Sequence, residues 1–343
     1  MKALVLEDYN TLVYKDVPDP VILPDEVLVK IKACGICGSD VHGLDGSTGR
    51  RIPPLIMGHE ASGIIEATGT GVTKWKKGDR VTFDSTVYHL DDWFTREGRY
   101  NLSDNREVLG VSPGDYRRNG AFAEFTAVPQ HILYRIPDQV TFEQAAMVEA
   151  AAVALHAINI SGIKTGDSCI VAGAGSIGIF IIKLLGIAGA GCIIAVDINP
   201  LKLQNAQKYG AEHIFESDDK NLGEKIRSVT GPRGADIAFE AAGKNETAEI
   251  AIDAVRKGGT VILIGNTAKV IEFPLQKVVT KELKVQGSCA IRGEYDVILK
   301  LLENRKLRVD DQISAIAPLS EGAKWFGRLY RKEDNLNKVI LVP

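Results

Sequence analysis

The sequence lacks most of what would mark a secreted, membrane-spanning or nucleic-acid-binding chain. Cysteine is scarce: five stand among 343 residues, Cys34, Cys37, Cys169, Cys192 and Cys289. An odd number, three of them in or beside apolar runs, does not make a disulfide framework. Cys169, Cys192 and Cys289 read as buried free thiols. Charge of one sign is also missing, since the formal net charge is -3, which argues against nucleic acid or an anionic membrane as partner. The basic group Lys74, Lys76, Lys77 and Arg80 reads as a solvated loop. The opening stretch MKALVLEDYN meets Glu7 and Asp8 after four apolar residues, too short for an export-signal core, so the cytoplasm is the expected location. One run, 177–196, approaches the length of a membrane span. Lys183 near its middle and Gly186, Gly189 and Gly191 divide it instead into a buried helix, a turn and a buried strand. No internal repeat and no low-complexity segment is present. What remains is ordinary for a globular chain, with 45% hydrophobic and 25% charged residues and a length that suggests two domains.

The patterning changes along the chain. Up to about residue 150, short β-like runs (1–6, 26–31, 61–66, 80–83 and 121–128) alternate with Gly, Pro and Asp turns, as in a mostly β domain. From 151 to 285 the rhythm becomes strand, helix, strand. Apolar runs at 169–172, 192–196, 213–215, 236–239, 260–264 and 283–287 suit a parallel sheet buried on both faces by helices. Asn199, Pro200 and Gly210 punctuate one of those helices as N-cap, first residue and stop. The segment 286–343 adds a helix around 294–303 and a closing strand, 338–342, that is expected to return to the first domain. The fold class is α/β.

Within the second domain, a strand at 169–172 runs into Gly173-Ala174-Gly175-Ser176-Ile177-Gly178 and then a helix. The glycine pattern alone is weak, but this strand–turn–helix context is the one that dinucleotide binding needs. Gly173 allows the tight turn, Gly175 lets the backbone approach a pyrophosphate, and Gly178 lets helix and sheet pack closely. The helix N-terminus offers free N–H groups to the phosphates. Asp197 ends the next strand, 19 residues after Gly178. A carboxylate there accepts hydrogen bonds from ribose hydroxyls and repels a 2′-phosphate, so NAD is expected over NADP, although Lys202 one turn on tempers the preference.

A second constellation lies in the first domain. Cys34-Gly35-Ile36-Cys37-Gly38-Ser39-Asp40-Val41-His42 is followed by Gly58-His59-Glu60. A CxxC pair with one further histidine is also compatible with half of a structural zinc site. A thiolate, an imidazole and a carboxylate together leave one tetrahedral position open, which is what a catalytic zinc requires.

The segments CGICGSDVH, GHEASG and VEAAAVALHA, with the glycine turn in the same order, resemble the zinc-dependent medium-chain dehydrogenases nearly end to end. The resemblance implies a GroES-like mostly-β catalytic domain (1–150 with 286–343) and a Rossmann doubly wound domain (151–285), with zinc and nicotinamide held in one cleft. Carried over by position, Cys37 and His59 match the first two zinc ligands. Glu60 matches a carboxylate that binds zinc in sorbitol-type members, and Glu149 stands where classical alcohol dehydrogenases supply a second cysteine. That glutamate points to the polyol branch; which of the two carboxylates completes the metal sphere stays open. Ser39 is then placed to take the substrate proton and His42 to pass it to solvent, while Asp40 orients the His59 imidazole. Glu240 to Gly243, including Ala242, and Ile264 to Asn266, including Gly265, lie where the family's backbone lines the nicotinamide half. Cys34 reads as a packed thiol and His156 as a packed helix histidine.

The expected activity is hydride transfer between NAD and a secondary alcohol of a polyol or sugar alcohol, phosphorylated or not. L-Threonine or another secondary alcohol is an alternative substrate. A zinc-free reductase, and a non-catalytic NAD-binding structural protein, are the other readings. Arg50 and Arg51 are candidates to hold a substrate anion, or else belong to a solvated loop. A homodimer or homotetramer joined through an edge strand is expected, with no nucleic acid and no membrane as partners. One zinc per chain is expected rather than two. The lobe that holds the family's structural zinc has no cysteine between Asp84 and Glu124. Aligning on 98–102 puts His89, Asp92, Thr95 and Ser103 where four thiolates would be, with Tyr88, Trp93, Phe94 and Tyr100 expected to anchor the lobe by packing.

Overall fold

A computed structural model of the chain describes residues 1–112, 117–333 and 336–343. The chain divides into two compact units, Met1–Ala152 with Ala290–Pro343, and Val153–Cys289.

In the first unit the strand Glu26–Gly35 is the organising element. It pairs antiparallel with Glu60–Thr68, with Phe125–Pro129 and, near its end, with Lys338–Val342. Val27, Val29, Ile31 and Ala33 alternate along it and are buried, the period of two that turns one strand face to a core. That core includes Leu4, Phe83, Phe122, Phe326 and Leu341, side chains worth about 1.5–3 kcal/mol each when taken out of water. The strand Lys338–Val342 also runs parallel to Ile313–Pro318, so residues remote in sequence close the sheet. The run at 121–128 forms a strand only over Phe125–Pro129; before it the chain makes a single bridge, Ala3 to Ala123. Arg80 is not a loop charge. Its guanidinium donates to the carbonyls of Pro137 and Val140 and lies over the Phe142 ring.

The second unit holds six parallel strands in the order His213–Glu216, Cys192–Asp197, Ser168–Ala172, Ala235–Glu240, Val255–Leu263, Lys284–Gly287. Numbered by sequence within this sheet that order is 3-2-1-4-5-6, the doubly wound arrangement. Its ligand crevice lies where the order reverses, beyond the carboxyl ends of Ser168–Ala172 and Ala235–Glu240. The inner strands have continuous buried runs, Cys169–Ala172 and Ile193–Asp197 among them. The two outer strands correct the expectation of six strands buried on both faces: His213–Glu216 is half-buried and Lys284–Gly287 mostly exposed. Each is a sheet edge with one neighbour, so apolar composition there does not mean full burial. The run 177–196 resolves into the helix Ser176–Ala188, a left-handed Gly189 and the strand Cys192–Asp197. Among the described residues no helix is long and apolar enough to cross a membrane. Asn199 caps Pro200–Lys208 by accepting from Leu201 N, and Pro200 takes the first helical position.

Candidate active site

The Cys37 and His59 side chains reach one place because two neighbouring antiparallel strands deliver them. Glu26–Gly35 ends just before Cys37, and Glu60–Thr68 begins just after His59, with Gly35 directly opposite Glu60. One donor atom from each of Cys37, His59 and Glu60 lies within 4.8 Å of the others. His59 and Glu60 are buried and Cys37 is half-buried. Cys37 Sγ accepts from Ser39 N at 3.4 Å and from Ser39 Oγ at 3.2 Å. His59 Nδ1 faces Asp40 Oδ1 at 3.5 Å, an electrostatic contact longer than a good hydrogen bond.

The electrostatics suit a cation. Burial lowers the His59 pKa, yet the charges of Asp40 and Cys37 raise it well above the ordinary imidazole value, so the cluster draws positive charge to itself. Asp40 has the reverse balance: burial opposes its ionisation, and the charges of His59 and Arg51 hold its carboxyl well below the usual range. A thiol, an imidazole and a carboxylate in this arrangement form a donor set that fits zinc.

Two residues are bound into the site in roles that the sequence did not suggest. Lys338, 2% exposed, donates to both Glu60 oxygens, at 2.7 and 2.5 Å. Burial works against its charge, but Glu60, Cys37 and Glu149 raise its pKa. The available signal was a lysine opening an otherwise apolar strand, Lys338–Val342. Arg51, 1% exposed, is neither a solvated loop residue nor an open anion holder. It is spent on Asp40, Ser39 and the Arg50 carbonyl. Glu149 is buried nearby without joining the Cys37, His59 and Glu60 group. Its Oε1 accepts from Ser85 Oγ at 3.4 Å, and burial pushes its carboxyl up to about 7, with Glu60 and Asp84 adding to the effect. His42 is exposed in the last turn of the helix Gly38–Gly43. Cys34 is buried, and burial pushes its thiol well above the ordinary range. His156 is buried in the helix Val148–Ser161.

The glycine turn belongs to the second unit. Gly173 has φ +103, and a Cβ on Gly178 would lie 1.9 Å from the Gly173 carbonyl oxygen, so the helix cannot sit this close with any side chain there. Gly175 has nothing within 4 Å of where its Cβ would be. The protein itself leaves that space open. Ser176 Oγ, beside Ile177 at the start of the 13-residue helix, is buried without a hydrogen-bond partner. Open space, an unsatisfied hydroxyl and a helix N-terminus fit a pyrophosphate. Asp197 accepts from Ala174 N at 2.7 Å and from Asn199 N at 2.9 Å, one bond to each carboxylate oxygen. It therefore braces the turn and keeps acceptor capacity for a sugar hydroxyl. Lys202 is exposed on the following helix. Ala242 and Gly265 complete the floor: Ala242 Cβ lies 3.0 Å from a Cβ built on Gly173, and Gly265 packs against Gly243 N. Glu240 fixes this corner by accepting from Ala242 N, Gly243 N and Thr247 Oγ1.

In the cysteine-free lobe, direct hydrogen bonds join the four aligned positions to neighbouring chain. Asp92 accepts from Phe94 N, Thr95 N and Asp104 N. His89 N donates to Ser103 Oγ at 3.4 Å, and His89 Nε2 lies 3.0 Å from Asn105 O. Tyr88 stacks on Tyr100 with centroids 4.3 Å apart. Trp93 is not a packing anchor, being 62% exposed; it meets Phe94 only edge to face.

Comparison with known proteins agrees with this geometry. Residues 23–138 match the alcohol dehydrogenase GroES-like domain family, and residues 176–304 match the zinc-binding dehydrogenase family. The chain is 36% identical over 318 residues to the D-xylulose reductase of Saccharomyces cerevisiae, covering 89% of this chain and 87% of that one. It is also 36% identical over 323 residues to the sorbitol dehydrogenase of Bacillus subtilis, covering 92% and 90%. The crystal structure of galactitol-1-phosphate dehydrogenase from Escherichia coli superposes with a TM-score of 0.92 at 27% identity, over the whole of both chains. The chain belongs to the zinc-dependent medium-chain dehydrogenases, a family of alcohol-oxidising enzymes, and lies on their polyol dehydrogenase branch.

Proposed function

We propose that the protein oxidises a secondary alcohol of a polyol or sugar alcohol with NAD, and runs the reverse reduction. The observation that carries the reading is the grouping of Cys37, His59 and Glu60 with a serine hydroxyl on the thiol sulfur. Bound zinc supplies a Lewis acid for the alcohol oxygen, and NAD supplies the hydride acceptor. Cys37, His59 and one of Glu60 or Glu149 hold the metal, and Asp40 keeps the His59 ring in line. Ser39 receives the alcohol proton, and His42, exposed to water, hands it on; relays of this kind contribute about 10²–10⁴-fold. Gly173, Gly175, Ser176, Ile177 and Gly178 take the pyrophosphate. Asp197 takes the adenosine ribose with Lys202 beside it, and Ala242 and Gly265 line the nicotinamide half. The chain carries one zinc, held without a second, structural ion. Its residues 1–150 and 286–343 form the catalytic domain, and 151–285 the nucleotide domain. It works in the cytoplasm as a homodimer or homotetramer, for which the exposed edge strand Lys284–Gly287 is a suitable seam.

The test is a panel of sugar alcohols, their phosphates, simple diols and L-threonine, each offered with NAD and with NADP while reduced-nicotinamide absorbance is followed. Turnover of at least one polyol, better with NAD and abolished by a zinc chelator, is expected. Turnover confined to L-threonine, or insensitive to the chelator, would overturn the assignment.

A further inference from the structure

Arg51 is among the largest side chains that the protein buries completely. A guanidinium taken out of water is destabilising unless its hydrogens and its charge are satisfied, and here they are used in a particular way. Nε and Nη2 both donate to Asp40 Oδ1, at 3.1 and 2.7 Å. Nη2 also reaches Ser39 Oγ at 3.1 Å, and Nη1 reaches the Arg50 carbonyl at 3.1 Å. The fold makes room for this side chain: a Cβ on Gly43 would lie 2.4 Å from Arg51 Cγ, so the helix that carries Ser39 and Asp40 has no side chain where the arginine crosses it.

A serine hydroxyl has one proton and two lone pairs. With Arg51 donating to one lone pair, the Ser39 proton is left to point at Cys37 Sγ, 3.2 Å away. We infer that Arg51 is a positioning residue of the alcohol-oxidising site, whose planar fork bridges Asp40 and Ser39 and fixes the Ser39 hydroxyl against the Cys37 sulfur. Lysine has no such fork: its three N–H groups leave from one nitrogen on a freely rotating stem, so it cannot keep the Nε, Nη1 and Nη2 bonds together, and its contact with Ser39 is not fixed in one geometry. The inference rests on the proposed role of Ser39 as first proton acceptor: with Arg51 on one lone pair the other is left for the alcohol proton, and as that proton arrives the original hydroxyl proton leaves Cys37 Sγ for water and His42.

The experiment uses the full chain loaded with cobalt in place of zinc, where the thiolate-to-cobalt charge-transfer band reports the hydrogen bond on Cys37 Sγ. Ser39→Ala removes that bond and shifts the band. Arg51→Lys is expected to shift it in the same direction, and the double variant to match Ser39→Ala alone. Gly43→Ala displaces the arginine stem without changing charge and is expected to give a smaller shift of the same sign, which keeps the test decisive should Arg51→Lys fail to fold. With zinc, NAD and an alcohol taken from the panel, Arg51→Lys is expected to lower kcat by about 10- to 100-fold, short of losing a relay outright. KM should change little, and the same substitution should cost less than about twofold in the Ser39→Ala background. A parental band in both Arg51→Lys and Gly43→Ala, or losses in kcat that multiply in the double variant, would overturn the inference. A parent chain that oxidises no alcohol sinks the proposed function instead, while the cobalt spectra, which need no turnover, still decide the role of Arg51.

Discussion

Asp84 is fully buried, accepting from Thr86 N at 2.8 Å and from the Tyr100 hydroxyl at 3.1 Å. Burial, with the Glu294 charge adding to it, pushes its carboxyl from 3.8 up to about 7. The folded chain therefore keeps this proton while the unfolded chain gives it up from about pH 4. Between those values the unfolded state binds fewer protons, so this group's contribution to stability falls as pH rises, then levels off above about 7. A shift of about three units corresponds to about 4 kcal/mol at most. Asp84→Asn removes the titration and retains an acceptor for Thr86 N. Its melting temperature relative to the parent is expected to climb from pH 5 to about pH 7 and then level off, and an offset that stays constant with pH would refute the account. Asp84, Arg51 and Lys338 share the reason they were illegible in the sequence. Charged residues default to the surface, and their burial is decided by partners such as Glu60, which is 278 positions from Lys338. Cys37, His59 and Glu60 were legible because they lie within 24 residues in two short motifs and one antiparallel strand pair brings them together.

At the scale of the element, the junction from the strand Ser168–Ala172 to the helix Ser176–Ala188 separates two demands made on glycine. Gly178 is required by the fold, since a Cβ there would collide with the Gly173 carbonyl oxygen. Gly175 has open space around it and an ordinary φ of -75°, so only a ligand can require its bareness. Gly175→Ala is accordingly expected to leave the melting temperature within about 1 °C of the parent while weakening NADH binding by 10-fold or more, roughly 1.4 kcal/mol. Gly178→Ala should lower both, as overpacked sites do. Unchanged NADH affinity in Gly175→Ala, read by titrating nicotinamide fluorescence, would remove this turn from the cofactor site. The pattern of these elements was legible because strand, glycine turn and helix are local. The edge character of His213–Glu216 and Lys284–Gly287 was not, because lateral position in a sheet is set by chain crossings that composition does not encode. Trp93 misled for a similar reason: no residue of its four-residue helix, Trp93–Arg96, is fully buried, and Phe94 and Thr95 are only half-buried.

For the molecule as a whole, the expected metal content separates two architectures. With Asp92 already bonded to three backbone N–H groups and His89 to Asn105, the lobe is tied together by its own hydrogen bonds. Metal analysis of the purified chain should give one zinc, and Cys37→Ser should bring that close to zero while leaving NADH binding and far-ultraviolet circular dichroism as in the parent. Two tightly held zinc ions per chain would contradict this. The alternation of a β-rich first part with a strand–helix second part was readable from periodicity, but the pairing of Lys338–Val342 with Glu26–Gly35 was visible only in space. That pairing has a consequence for how the enzyme is made. On the ribosome, Val153–Cys289 is synthesised in full while the sheet begun by Glu26–Gly35 still lacks its last strands. Until residue 338 emerges, Glu60 has no ammonium partner, and sealing it into a core as a lone carboxylate is unfavourable. A chain that ends before residue 338 thus leaves the Glu60 carboxylate beside Cys37 and His59 without its neutralising ammonium, in a sheet that lacks its closing strand.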